Sequence, residues 1–157
     1  DTLIVIDSIA GLLNDDELLD YILVCKSQNE SETEYDEYDR KSFIYVGQQN
    51  GVYKLHSTNI GAVLCKNCGG VFGDPYEAFI IDSKKGFSLT HYGGSNFRWG
   101  ILSKFTYDST SDNWKLTSVE NSSFSTNDPE DVESVVLTAD KFGTVYFQDF
   151  DVNLYRE

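Results

Sequence analysis

The chain has 157 residues, of which 26 are acidic and 12 basic, for a formal net charge of −14 with 14% aromatic residues. That length suits one domain over residues 1–157, with one core feasible and a second not. The charge repels nucleic acid and anionic lipid and attracts cationic proteins or divalent metals, and no apolar run reaches the roughly 18 residues of a membrane-spanning helix.

A chain that begins at Asp1 and contains no Met reads as a mature or trimmed product. Residues 15–23 fit either a helix start or a strand, and the reading adopted is a loop that enters a strand near Asp20. Residues 28–41 are dense in Ser, Asn, Asp and Glu and read as a solvated loop. Residues 42–48 and 52–56 flank Asn50-Gly51, a dipeptide suited to the positive φ angles of a tight hairpin turn. A second hairpin is expected from 77–82 and 87–92, with Gly86 where the chain re-enters the strand.

From Phe97 onward Trp99, Ile101, Phe105 and Tyr107 alternate with Arg98, Lys104 and Thr106, the period of two of a half-buried strand. The polar turn 108–113 leads to a return strand over 114–119. Residues 121–133 read as a second solvated loop, and 133–138 with 144–147 as a last strand pair. The fold expected is mainly β, an antiparallel sheet domain built from successive hairpins as a sandwich or partly open barrel. A four-bladed propeller of about 40 residues per blade would exceed the chain.

The segment from Gly11 through Asn14, Asp15, Asp16, Glu17 and Asp20 to Val24 resembles the acidic loop-then-strand unit of VCBS and FG-GAP repeat proteins. The resemblance implies oxygen ligands for calcium at Asn14, Asp16 and Asp20. Leu12 stands where that pattern has its first carboxylate, and Glu17 replaces the glycine of the sharp turn. At most a weak calcium site follows, and no other cofactor is expected. Residues 64–75, with Cys65, Cys68, Gly69, Gly70 and Pro75, followed by His91-Tyr92-Gly93-Gly94-Ser95 and Arg98-Trp99, are similar to a group of uncharacterised bacterial exported proteins.

Cys65 and Cys68 admit a redox pair, half a zinc site or a short disulfide. Glycines rather than a helix follow them, and no other ligands stand at zinc spacing, so the disulfide fits best and implies an oxidising compartment. Cys25 is left as a buried thiol. A triad of His91, Asp74 and Ser95 can be written but has no supporting pattern.

Three functions of different class are therefore carried. The first is a non-enzymatic periplasmic or secreted protein-binding domain of inhibitor or immunity type, engaging a basic protein. Its expected contacts are Asp36, Glu37 and Asp39 in one acidic stretch and Asp128, Glu130 and Asp131 in the other. The second is a ligand-binding or adhesion module in which Tyr92 and Trp99 stack on a sugar or other planar ligand. An enzyme ranks last.

Overall fold

The computed structural model describes residues 2–30, 38–82 and 85–156. Two antiparallel sheets make up its body. One holds β1 (Leu3–Gly11), β2 (Asp20–Ser27), β3 (Arg40–Gly47) and β4 (Tyr53–Val63) in that order. The other holds β5 (Tyr76–Asp82), β6 (Gly86–Gly94), β7 (Phe97–Asp108), β8 (Asn113–Ser125) and β9 (Asp128–Thr138), again in chain order. Each strand therefore pairs with its sequence neighbour, as a meander of hairpins does, and neither sheet closes into a barrel.

Alternation decides which faces meet. Ile22 and Val24 on β2, Ile44 and Val46 on β3, Phe87 and Leu89 on β6, and Ile101 and Phe105 on β7 are buried in one cluster drawn from both sheets. At its centre the Phe87 and Phe105 rings stack at 5.1 Å, and Phe147 stands edge-on to both at 5.3 and 5.5 Å. Aromatic pairs of this kind add roughly 0.5–1.5 kcal/mol beyond the area they bury. The sheets approach at β1 and β5, where Gly11 lies against Ile81. On the opposite side the segment after β9 packs against β4 and β8, placing Phe147, Phe150 and Val152 in the core.

The Asn50-Gly51 hairpin is present, with a longer turn than the dipeptide suggests. Gly51 donates to the Gln48 carbonyl at 2.9 Å and Gly51 alone has positive φ, which fits a type I turn closed by a left-handed glycine. In the next hairpin Gly86 opens β6, and among the described residues Lys85 before it is left-handed (φ 59).

Two expectations are corrected. Residues 121–133 are not a loop: β8 runs on to Ser125 and β9 begins at Asp128. Every residue of β9 except Leu137 is exposed, so its backbone ladder to β8 holds it without the buried face that sequence periodicity detects. Residues 133–138 pair with β8 rather than with 144–147. The chain instead forms α1 (Ala139–Phe142), ends it at Gly143 (φ 73), and meets β8 at an isolated Lys115–Tyr146 bridge rather than as a paired strand.

Candidate functional site

Cys65 and Cys68 form a disulfide, and Cys25 is buried and free. The disulfide opens a short 3-10 segment, Lys66–Phe72, that rests on the end of β6. Glycine is required there: a Cβ on Gly93 would lie 2.5 Å from Trp99 Cζ2 and 2.8 Å from the Gly69 carbonyl. Val71 and Phe72 are exposed at the tip. The Phe72 ring meets Tyr92 edge-on at 4.9 Å and carries the Arg98 guanidinium 4.7 Å above it.

Beside this turn the core-facing side of β7, β8 and β9 runs out past its cover. Ile101 is 3% exposed, Trp99 is half-buried and Phe97 is 72% exposed. Register places Ser125 opposite Phe97, Ser123 opposite Trp99 and Asn121 opposite Ile101, and then Glu133 opposite Ser123 and Val135 opposite Asn121. The result is an open shelf. Phe97 shares a recess with Asp128, Asp131 and Glu133, while Trp99 faces a second recess that holds Glu133, Val135 and Arg156. Arg156 lies over the Trp99 ring at 4.8 Å.

Of the acidic contacts expected from sequence, Asp128, Glu130 and Asp131 lie exposed on β9, and Asp39 is exposed just before β3. Asp36 and Glu37 lie outside the described residues. Tyr92 and Trp99 are both half-buried, with Phe72 against one ring and Arg156 over the other. Phe97 and Glu133 join the shelf only because β8 and β9 are paired, a relation that local sequence does not carry.

The acidic loop is held by its own side chains. Asn14 accepts from the Asp16 backbone and donates to its carboxylate, and Asp16 accepts from the Leu18 backbone. Glu17 adopts the left-handed turn (φ 59) that glycine makes in the repeat pattern. Asp20 points inward, fully buried, with its two oxygens accepting from Leu13 and Gly47 at 3.0 Å each. Burial raises its pKa against those hydrogen bonds. Asp20 thus caps the strands instead of joining Asn14 and Asp16, and among the described residues no three His, Cys, Asp or Glu side chains are arranged to hold a metal ion.

The written triad does not assemble. His91 is 1% exposed, its Nε2 accepts from the Leu64 backbone at 3.3 Å, and its Nδ1 has no partner. Burial, helped by the charge of Arg156, lowers its pKa to about 4. Asp74 turns instead to Arg40, which donates to both Asp74 oxygens at 2.8 and 2.7 Å and to both Glu30 oxygens at 2.9 Å. Burial alone would lower the Arg40 pKa, and the bonds to Glu30 and Asp74 reverse that and raise it. This pairing ties the end of β2 and the start of β3 to the turn after the disulfide.

Together these features define a two-sheet antiparallel β domain with an aromatic and acidic shelf at one end. No protein-family model, no curated protein and no solved structure matches the chain. Among the described residues no helix is long and apolar enough to cross a membrane.

Proposed function

We propose that this chain is a non-enzymatic periplasmic or secreted protein-binding domain of inhibitor or immunity type, and that its partner is a basic protein bound at the β7–β9 shelf. The observation that carries the reading is the meeting of exposed Phe97 with Asp128, Asp131 and Glu133 in one recess. An aromatic anchor ringed by carboxylates suits a partner surface that presents an apolar contact among Lys or Arg side chains. The net charge of −14 speeds the encounter with such a surface. The Cys65–Cys68 disulfide supports an oxidising compartment.

The shelf is preferred over a stacking site for a sugar because the Tyr92 and Trp99 rings already carry Phe72 and Arg156. The test uses the folded chain as bait on an extracytoplasmic fraction, beside a variant with Asp128→Asn, Glu130→Gln, Asp131→Asn and Glu133→Gln. A basic protein is expected on the unmodified bait at low salt, released by high salt and absent from the variant. Equal capture by both baits, or no basic protein on either, overturns the reading.

A further inference from the structure

We propose that β9 receives an extended segment of the partner as a sixth strand of the five-stranded sheet. The inference rests on the basic-partner reading above and adds how the partner is held. β9 is the terminal strand of its sheet, and all its residues but Leu137 are exposed. The other terminal strands have neighbours: β1 and β5 lie against each other, and β4 carries the segment after α1, with Gly61 against Asp151.

Open edges are ordinarily protected by charge, proline or irregular pairing, and β9 has all three in its first half alone. Asp128, Pro129, Glu130, Asp131 and Glu133 fall there. Asp128 pairs with Ser125 and Glu133 with Ser123, so residues 129–132 stand opposite Phe124 alone. From Glu133 to Thr138 the pairing with β8 is regular, residue for residue. Residues 134–138 carry no charge and include exposed Val135 and Val136.

Half of the edge is thus guarded, and half is a regular strand whose outer side pairs with no other strand among the described residues, the arrangement that strand addition uses. The guard also selects what is added. An incoming strand with Lys or Arg beside Glu130, Asp131 and Glu133 gains attraction, whereas a second copy of this chain brings a second charge of −14 and the same carboxylates.

The probe is a short synthetic peptide of alternating threonine and valine that ends in Lys-Arg-Lys. Two analogues are N-methylated at alternate residues, one in each phase, so that one loses the hydrogen bonds facing β9 and the other does not. The parent peptide is expected to slow amide exchange within residues 134–138, and one methylated analogue alone to bind roughly tenfold or more weakly, from the loss of several hydrogen bonds. Equal affinity of all three peptides, absence of parent binding, or a dimer built through β9 in sedimentation overturns strand addition. These outcomes leave the basic-partner reading to the bait experiment. That reading fails separately if the peptide binds the Glu130→Gln, Asp131→Asn, Glu133→Gln variant as well as it binds the unmodified chain.

Discussion

The side-chain amide of Asn59 donates to the backbone carbonyl of Phe150 at 2.7 Å, joining β4 to a residue 91 positions further along the chain. The same amide nitrogen donates to the Phe147 carbonyl, and the amide oxygen accepts from the backbone of Gly61 at 2.7 Å and from that of Ala62. Asn59 is buried with all of these groups about it. It holds the segment that fills the open side between the sheets.

Replacing Asn59 by Ala therefore leaves the Phe150 carbonyl and the Gly61 and Ala62 N–H groups without that partner, while the Phe147 carbonyl keeps its bond from the Phe150 N–H. Each buried orphan costs about 1–3 kcal/mol, and partial relaxation brings the expected loss to about 3–5 kcal/mol. Urea unfolding followed by tryptophan fluorescence measures it. A loss below about 1 kcal/mol would mean that the C-terminal segment is not held through Asn59.

The β3–β4, β5–β6 and β7–β8 hairpins were legible from the residues at their turns, and the inward face of β7 because Trp99, Ile101 and Phe105 alternate with Arg98, Lys104 and Thr106, the period that burial of one face requires. Ile22 and Ile44 lie between apolar neighbours and show no such alternation, and β1 had no signal that was read. β9 was illegible for the complementary reason: with solvent on both faces, Asp128 to Glu133 carry the composition of a loop. The place of Phe147 and Phe150 in the core was equally hidden, since a short strand was expected over 144–147 and isolated aromatics have no period, whereas bonds from Asn59 and packing between the sheets place them. At the candidate site, Trp99 and the β9 acids were visible singly. Phe97 and Glu133 were joined to them by strand register, which no local pattern encodes.

The thiols can be counted directly. The denatured, unreduced protein is expected to show one reactive thiol, from Cys25, and the reduced protein three. Opening the short Cys65–Cys68 ring with Cys65→Ser and Cys68→Ser should lower stability by about 2 kcal/mol on the loop-entropy relation. Three thiols before reduction would remove the disulfide and the support it lends to an oxidising compartment.

Arg40 should be among the least replaceable side chains. It is 2% exposed, as is the Glu30 side chain that it pairs with, while Asp74 is 41% exposed. Arg40→Met keeps the volume but leaves the Glu30 carboxylate buried without a counter-charge, which costs about 3–5 kcal/mol. Adding Glu30→Gln to that variant should recover part of the loss, because Asp74 can turn to water. Thermal melts of the single and double variants decide it, and an Arg40→Met melt within a degree or two of the unmodified chain contradicts the pairing.

Acid should weaken the fold through His91 before the ordinary carboxylates titrate. With Nε2 accepting from Leu64, the neutral ring keeps its proton on Nδ1, and burial together with the charge of Arg156 holds its pKa down from 6.5 to about 4. Between those values the unfolded chain binds a proton at His91 that the folded chain does not, so stability rises with pH in this window. The contribution is fully present above pH 6.5 and falls away toward pH 4, a loss of about 3 kcal/mol. Asp20 acts in the opposite sense: its raised pKa means that protonation in the folded state recovers some stability at the acid end. The measurement is the urea midpoint at pH 7, 6, 5 and 4 at constant ionic strength, for the unmodified chain and for His91→Gln, which keeps an acceptor for the Leu64 amide. The variant should be less stable at pH 7 yet nearly flat over the window, and since His56 is retained in both proteins the difference in slope belongs to His91. Equal slopes, or a His91 proton resonance that titrates near 6.5, would show that the ring is hydrated and that the inner face of β6 opens to water.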